Sequence, residues 1–234
     1  MLHRSAALLL LFLGPLAAAQ TSGDEVLSRW RDRWADAARG VEAVVVRETL
    51  DRTVDGPRGE IEMRTESTLT YSRDGATDRD VDRALLDGRP IGPLARRRFE
   101  SRTDRAFGSG SDALLRPALL PGVLLANASA SGSASAASLD GRPALRVPVR
   151  LPSARGIAWF SRDDSPRLLR LRVTSTLPGR ARAVTEANYR PVGGLDVPTD
   201  LRTTVTLRQR RRLREYVVTL HARGTYRAPR IVRR

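Results

Sequence analysis

Most of the chain alternates apolar and polar residues with a period of two, the signature of strands covered on one face. "VEAVVVRETLDRTV", residues 41–54, and "EIEMRTESTLTYSR", residues 60–73, flank the turn "DGPRG" and form a predicted β-hairpin. In the second strand Ile61, Met63, Leu69 and Tyr71 share one parity, while Glu60, Glu62, Arg64 and Glu66 take the other. The turn "RDGATDRD" follows, and "VDRALLDGRP" reads as a short strand. In "ALRVPVRL", Leu145, Val147, Val149 and Leu151 point one way and Arg146 and Arg150 the other, with Pro148 suggesting a position at a sheet edge. Leu169, Leu171 and Val173 oppose Arg170 and Arg172 in the same manner. Further strands are expected around "ARAVTEANYRPV", "DVPTDLRTTVTLR" and "LREYVVTLHARGTYR", for roughly nine or ten in all. The fold class is mainly β with a few helices: a curled antiparallel sheet, an unclosed half-barrel, covered by a helical lid.

Three stretches depart from this rhythm. "TSGDEVLSRWRDRWADAARG" reads as one helix, with Ser22 and Glu25 in capping-box spacing and Gly40 as its stop. Leu27, Trp30, Trp34 and Ala37 fall on one face of it, so two tryptophans look toward whatever the helix covers. Residues 93–122 mix helix formers with Gly, Ser and Pro and predict one or two short helices around "GSGSD". "NASASGSASAAS" reads as a loose loop or a weak edge hairpin between strands.

The first twenty residues set the expected compartment. Arg4, the apolar run Ala6–Leu13, the break at Gly14-Pro15 and small residues at Ala17 and Ala19 make a secretory signal peptide over residues 1–19, with residues 20–234 as a single domain. The run is far shorter than the ~20 residues that span a bilayer. The chain has no cysteine, which removes disulfides, thiol nucleophiles, thiolate metal sites and a lipidated cysteine after the signal run. The expectation is a soluble periplasmic protein, exported and not lipid-anchored. The formal net charge is +15 and every one of the 41 basic residues is arginine. Arginine favours phosphate and carboxylate partners, although a GC-rich genome also turns lysine codons into arginine codons.

Candidate chemistry is sparse. Asp163 and Asp164, in "IAWFSRDDSPRLLRLRV", and Asp78, Asp80 and Asp82 are carboxylate groups that read most simply as solvated turn formers. Beyond the signal segment His221 is the only histidine, with no nucleophile-elbow motif, P-loop or dinucleotide fingerprint to accompany it. No catalytic residue, cofactor or metal site is expected, and the chain is not read as an enzyme. The run "RQRRRLR" makes Arg208, Arg210, Arg211 and Arg212 a candidate anionic patch, or a charged hairpin connection. No aromatic residue interrupts it, which counts against nucleic acid. An apolar ligand fits better: the candidate cavity lining is Leu69, Tyr71, Leu145, Val147, Ile157, Trp159, Leu169 and Leu171, facing Trp30 and Trp34. The same residues could equally make a filled core.

The order of parts resembles a known family. Asp140-Gly141-Arg142, the Trp159–Pro166 hairpin, Tyr189-Arg190-Pro191 and Val197-Pro198, after a signal peptide, a first helix and two long strands, look like the bacterial LolA/LolB-type lipoprotein-sorting superfamily over about residues 24–227. That resemblance implies an unclosed β-barrel with a helical lid and a hydrophobic cavity for acyl chains. It implies a soluble monomeric carrier or chaperone for the acyl chains of lipoproteins or lipids, meeting envelope membrane proteins and no nucleic acid. Carriers of this type hold their lid with a cavity arginine, for which Arg47 and Arg73 are the candidates. The alternative is a non-catalytic structural or regulatory envelope protein that binds an anionic partner through its arginine-rich face.

Overall fold

The computed structural model describes residues 21–57, 59–72, 76–107, 121–177, 181–211 and 214–234. The signal segment, Arg73, Arg212 and the "GSGSD" loop lie outside the described residues. Helix α1 (Gly23–Ala37) is followed by β1 (Val41–Gly56), β2 (Gly59–Ser72), β3 (Thr77–Leu86) and β4 (Arg89–Pro90). Helices α2 (Pro93–Phe107) and α3 (Pro121–Ala126) come next. The remaining strands are β5 (Ser129–Ala130), β6 (Ser135–Leu139), β7 (Arg142–Leu151), β8 (Ala154–Ser161), β9 (Leu168–Leu177), β10 (Ala181–Val192), β11 (Leu195–Arg211) and β12 (Arg214–Arg233).

All twelve strands belong to one sheet in the order β4-β3-β2-β1-β12-β11-β10-β9-β8-β7-β5, with β6 also on β7. Every pairing is antiparallel, and the two ends do not meet, so the sheet is an unclosed half-barrel. The last strand pairs with the first, which places both ends of the folded chain in the middle of the sheet. The count exceeds the sequence expectation because the Ala/Ser-rich stretch supplies β5 and β6, and because "DGR" closes a two-residue β4 against β3. Strand β3 starts at Thr77, inside the stretch read as a turn.

The tight hairpins follow from local sequence. Asp87-Gly88, Asp140-Gly141 and Gly193-Gly194 all have positive φ at both positions, at 48° and 75°, 52° and 78°, and 54° and 89°. That is the backbone of a two-residue turn matching the strand twist, and Asp-Gly and Gly-Gly reach it at least cost. Pro148 lies between the stretches of β7 that pair with β6 and β5, where its missing N–H breaks no ladder bond on that side, and its carbonyl accepts from Ser131 at 2.9 Å.

Helix α1 lies on the inner face. Val26, Leu27 and Trp30 are fully buried and join Val147, Phe160, Leu171, Ala187 and Leu201 in the main core. The capping box is not formed: Ser22 occupies the N-cap position without a side-chain cap bond. Asp24 instead accepts from the Ala130 backbone N–H at 2.8 Å, tying the helix start to β5. A second, smaller cluster of Ala181, Ala183, Val205, Leu207 and Leu220 sits on the same face toward the far end of β10–β12.

Candidate functional site

Alternation alone leaves two kinds of inner surface, one filled and one open. In the filled part Trp30 packs on Phe160 with ring centroids 6.0 Å apart and on Trp34 at 6.4 Å. Its Nε1–H donates to Asp196 Oδ2 at 2.7 Å. Asp196, 2 % exposed, also accepts from the Leu168 backbone N–H at 3.1 Å and pairs with Arg33. Arg33 further donates to the Pro166 carbonyl at 2.9 Å and the Gly194 carbonyl at 2.6 Å. One carboxylate and one guanidinium thus latch α1 to the β8–β9 hairpin and the β10–β11 turn. Burial pushes the Asp196 carboxyl above the ordinary carboxylate range; the Trp30 hydrogen bond, the Arg33 charge and the Leu168 N–H offset this in part. The same burial, with the Asp196 charge added, raises the Tyr189 hydroxyl.

The open part is a cavity of about 290 Å³ between the C-terminal half of α1, the start of β1, the end of β2, α3 and the start of β11. Trp34, Val41, Val44, Tyr71, Val123, Leu195 and Val197 make its wall predominantly apolar, with Arg39, Glu42 and Asp196 also contributing. Helix α3 comes this close because Gly122 lacks a side chain: a Cβ there would lie 2.3 Å from the Trp34 ring. Its volume is at the low end of the ~300–1,000 Å³ typical of small-molecule pockets. Counting a methylene at roughly the ~30 Å³ of a water gives room for about ten.

Of the residues expected to line a cavity, Trp34 and Tyr71 do so. Trp30, Leu69, Val147 and Leu171 face inward but are buried in the filled core, with Leu145 partly buried against it. Ile157, Trp159 and Leu169 do not face the cavity. Ala158 pairs with inward Val147 and Leu171, so Ile157 and Trp159 take the outer face of β8, half-exposed. The physical reason is space: on the inner side Phe160 packs on Trp30, and a Cβ at Gly156 would lie 2.6 Å from the Arg172 carbonyl and 3.2 Å from Val149, so small residues stand at 156 and 158. In β9 a bulge pairs Phe160 with Leu168 and Trp159 with Arg170, so Leu168 is buried and Leu169 is the extra residue.

Arg208, Asp163, Asp164, His221 and Arg47 fall on the surface. Arg208 is exposed on the outer face; Arg210 and Arg211 belong to the β11–β12 hairpin. Asp163 and Asp164 are exposed in the β8–β9 loop, where Asp163 accepts from the Ser161 hydroxyl at 3.0 Å, as turn formers do. His221 lies exposed on the outer face with Thr204 as its neighbour at 3.3 Å. Arg47 is also exposed on that face, so it does not enter the cavity. The buried arginine of the inner face is Arg52, 5 % exposed and flanked by Met63 and Ala222. Near it in the same face, Arg79 pairs with buried Glu48 at 3.1 Å and Ser67 donates to Glu48 at 3.1 Å. Burial, with the Glu48 charge and hydrogen bond adding to it, raises the adjacent Tyr226 hydroxyl. Among the described residues no group of three or more His, Cys, Asp or Glu side chains could hold a metal ion, and no helix is long and apolar enough to cross a membrane.

Sequence reasoning missed Asp196, Arg33, Val44 and Leu195. Asp196 opened the expected strand "DVPTDLRTTVTLR", and only its position after a Gly-Gly reversal could have marked it as pointing back under the helix.

No protein-family model and no curated protein matches the chain. Solved structures do. An outer membrane lipoprotein-sorting protein domain, so described, from Vibrio parahaemolyticus is 10% identical over 90% of this chain and 93% of its own, with a TM-score of 0.39. A DUF1329 family protein from Desulfovibrio piger is 11% identical over 90% and 94%, with a TM-score of 0.40. MucB in complex with MucA of Pseudomonas aeruginosa gives 15% identity over 84% and 93%, with a TM-score of 0.22. The class defined by the chain's own strands is an unclosed antiparallel half-barrel with helices on its inner face.

Proposed function

We propose that this protein is an exported, non-catalytic carrier that binds one acyl chain, of a lipid or of a lipidated protein, in the apolar cavity beside Trp34. The observation that carries the reading is the contrast between that cavity and the rest of the inner face: Val41, Val44, Tyr71, Leu195 and Val197 surround open volume, whereas α1 packs tightly on the sheet beside it. Each methylene buried contributes about 0.8 kcal/mol, so a chain of about ten carbons is held without any catalytic or metal group. The periplasm is the compartment that the signal-like N-terminal segment supports.

The test is native mass spectrometry of protein purified from an envelope extract, together with titration of a fluorescent C12 acyl probe. Co-purified lipid and saturable probe binding are expected. Val44→Phe fills the cavity from the sheet side; displacing two methylenes should weaken the probe about tenfold while costing less than about 1.5 kcal/mol of stability. Absence of both lipid and probe binding in folded protein would contradict the proposal.

A further inference from the structure

The outer face of the sheet is divided by charge. On β8–β12 the exposed Arg155, Arg172, Arg182, Arg202, Arg208 and Arg223 all project outward. Two acids among them are engaged: Glu186 lies 3.9 Å from Arg170, and Asp200 accepts from Asn188 at 2.8 Å. None of those six arginines makes an ion pair among the described residues. On β1–β3 the outward positions hold Asp51, Asp55, Glu60, Glu62, Glu66, Asp78 and Asp80 against Arg47, Arg64 and Arg83, and Arg64 sits between Asp51 and Glu66 at 3.8 and 3.7 Å. Codon bias spreads arginine through a chain; it does not gather the acids of the outer face onto β1–β3.

The basic half also carries apolar side chains that the inner face does not use, Trp159, Ile157 and the exposed Val217 among them. Trp159 stands between Arg146 and Arg170 in the cross-strand register, and Ile157 between Pro148 and Arg172. A half-exposed tryptophan with arginines on both sides is the composition that settles at a membrane–water interface, with the ring at head-group level and guanidinium groups on phosphate. Nucleic-acid binders of the stacking type track the backbone along a groove, whereas this patch is the outward side of a half-barrel.

We infer that the outer face of β8–β12 docks the protein on an anionic bilayer surface, with the acidic β1–β3 half turned away. Lipid phosphates meet Arg172, Arg202 and their neighbours, and Trp159 and Ile157 enter the head-group region. The docking surface is opposite the cavity wall, so it sets the orientation of the carrier on the membrane and makes no use of the pocket.

Flotation with vesicles tests this. The protein should float with phosphatidylglycerol/phosphatidylcholine vesicles, stay behind with phosphatidylcholine alone, and be released by salt. Arg172→Gln with Arg202→Gln should weaken binding about 25-fold, from about fivefold, or about 1 kcal/mol, per neutralised arginine. Arg155→Gln with Arg182→Gln is the second variant should the first fold poorly by circular dichroism. Trp159→Ala should weaken binding, and Glu62→Gln with Glu66→Gln should leave it undiminished. Equal binding to neutral vesicles, insensitivity to both arginine pairs, or a preference for duplex DNA over vesicles would overturn the inference. Loss of flotation with acyl-probe binding intact overturns it without touching the carrier proposal.

Discussion

The two halves of α1 meet the same sheet and are treated differently by it. Around the first half, Val26, Leu27 and Trp30 are 0% exposed and belong to one core with Phe160, Leu168 and Leu171, each at most 1% exposed. Around the second half, Trp34, Ala35 and Ala38 stand off from Val41, Val44 and Val197, and a cavity of about 290 Å³ remains. The difference lies in the partner that each tryptophan meets. Trp30 is drawn down by its hydrogen bond to Asp196, while Trp34 is turned aside by α3, whose Gly122 packs on its ring. A helix that is firmly anchored at one end can leave the other end free to border a pocket.

The comparison can be broken most severely at Trp30. Trp30→Ala removes the largest side chain of the filled half and one of the hydrogen-bond donors to Asp196, so it should cost about 3–5 kcal/mol in denaturant unfolding. If it costs under about 1 kcal/mol, the filled half is not what holds the helix. Asp196→Ala comes next. It leaves Arg33, 15% exposed, without its charge partner, and the expected loss is about 3 kcal/mol. Trp34→Ala should cost less than either, because its ring already borders open volume.

The smallest effect is in pH. Because the folded-state pKa of Asp196 is raised, the native protein keeps this proton where the unfolded chain has lost it, and stability falls as pH rises through that window. Asparagine has no such proton to lose. The stability of the native protein relative to Asp196→Asn should therefore decline on going from about pH 4 to about pH 7, and a difference that rises with pH would mean that the ion pair outweighs burial.

How much of this was legible in the sequence depends on the element. The β1–β2 hairpin, the Asp-Gly reversals and the inward parity of Leu69, Tyr71, Val147 and Leu171 could all be read, because a period of two and positive-φ turn residues are local properties. Sequence pattern puts Trp159 and Ile157 inward because they are among the largest apolar residues of their strand. Their true side is set by β7, whose Val147 faces Ala158, and by a tryptophan 129 positions earlier, which is a tertiary fact. The bulge at Leu169 has no sequence mark beyond the run Leu168-Leu169. The cavity was illegible for the same reason. Its wall gathers residues from α1, β1, β2, α3 and β11, and what makes it a cavity is that nothing fills it.

The chain's three tryptophans permit a direct test, because they sit in three different places: Trp30 in the filled core, Trp34 at the cavity and Trp159 on the outer face. A dodecanoic acid brominated on its chain quenches tryptophan fluorescence only at short range. Titrated into the protein below its own aggregation threshold, it should produce saturable quenching that falls most in Trp34→Phe, where only the neighbouring Trp30 remains in reach, persists in Trp159→Phe and weakens in Val44→Phe. Quenching that is absent, unsaturable, or unchanged by Trp34→Phe would contradict the claim that an acyl chain occupies the open end of the half-barrel.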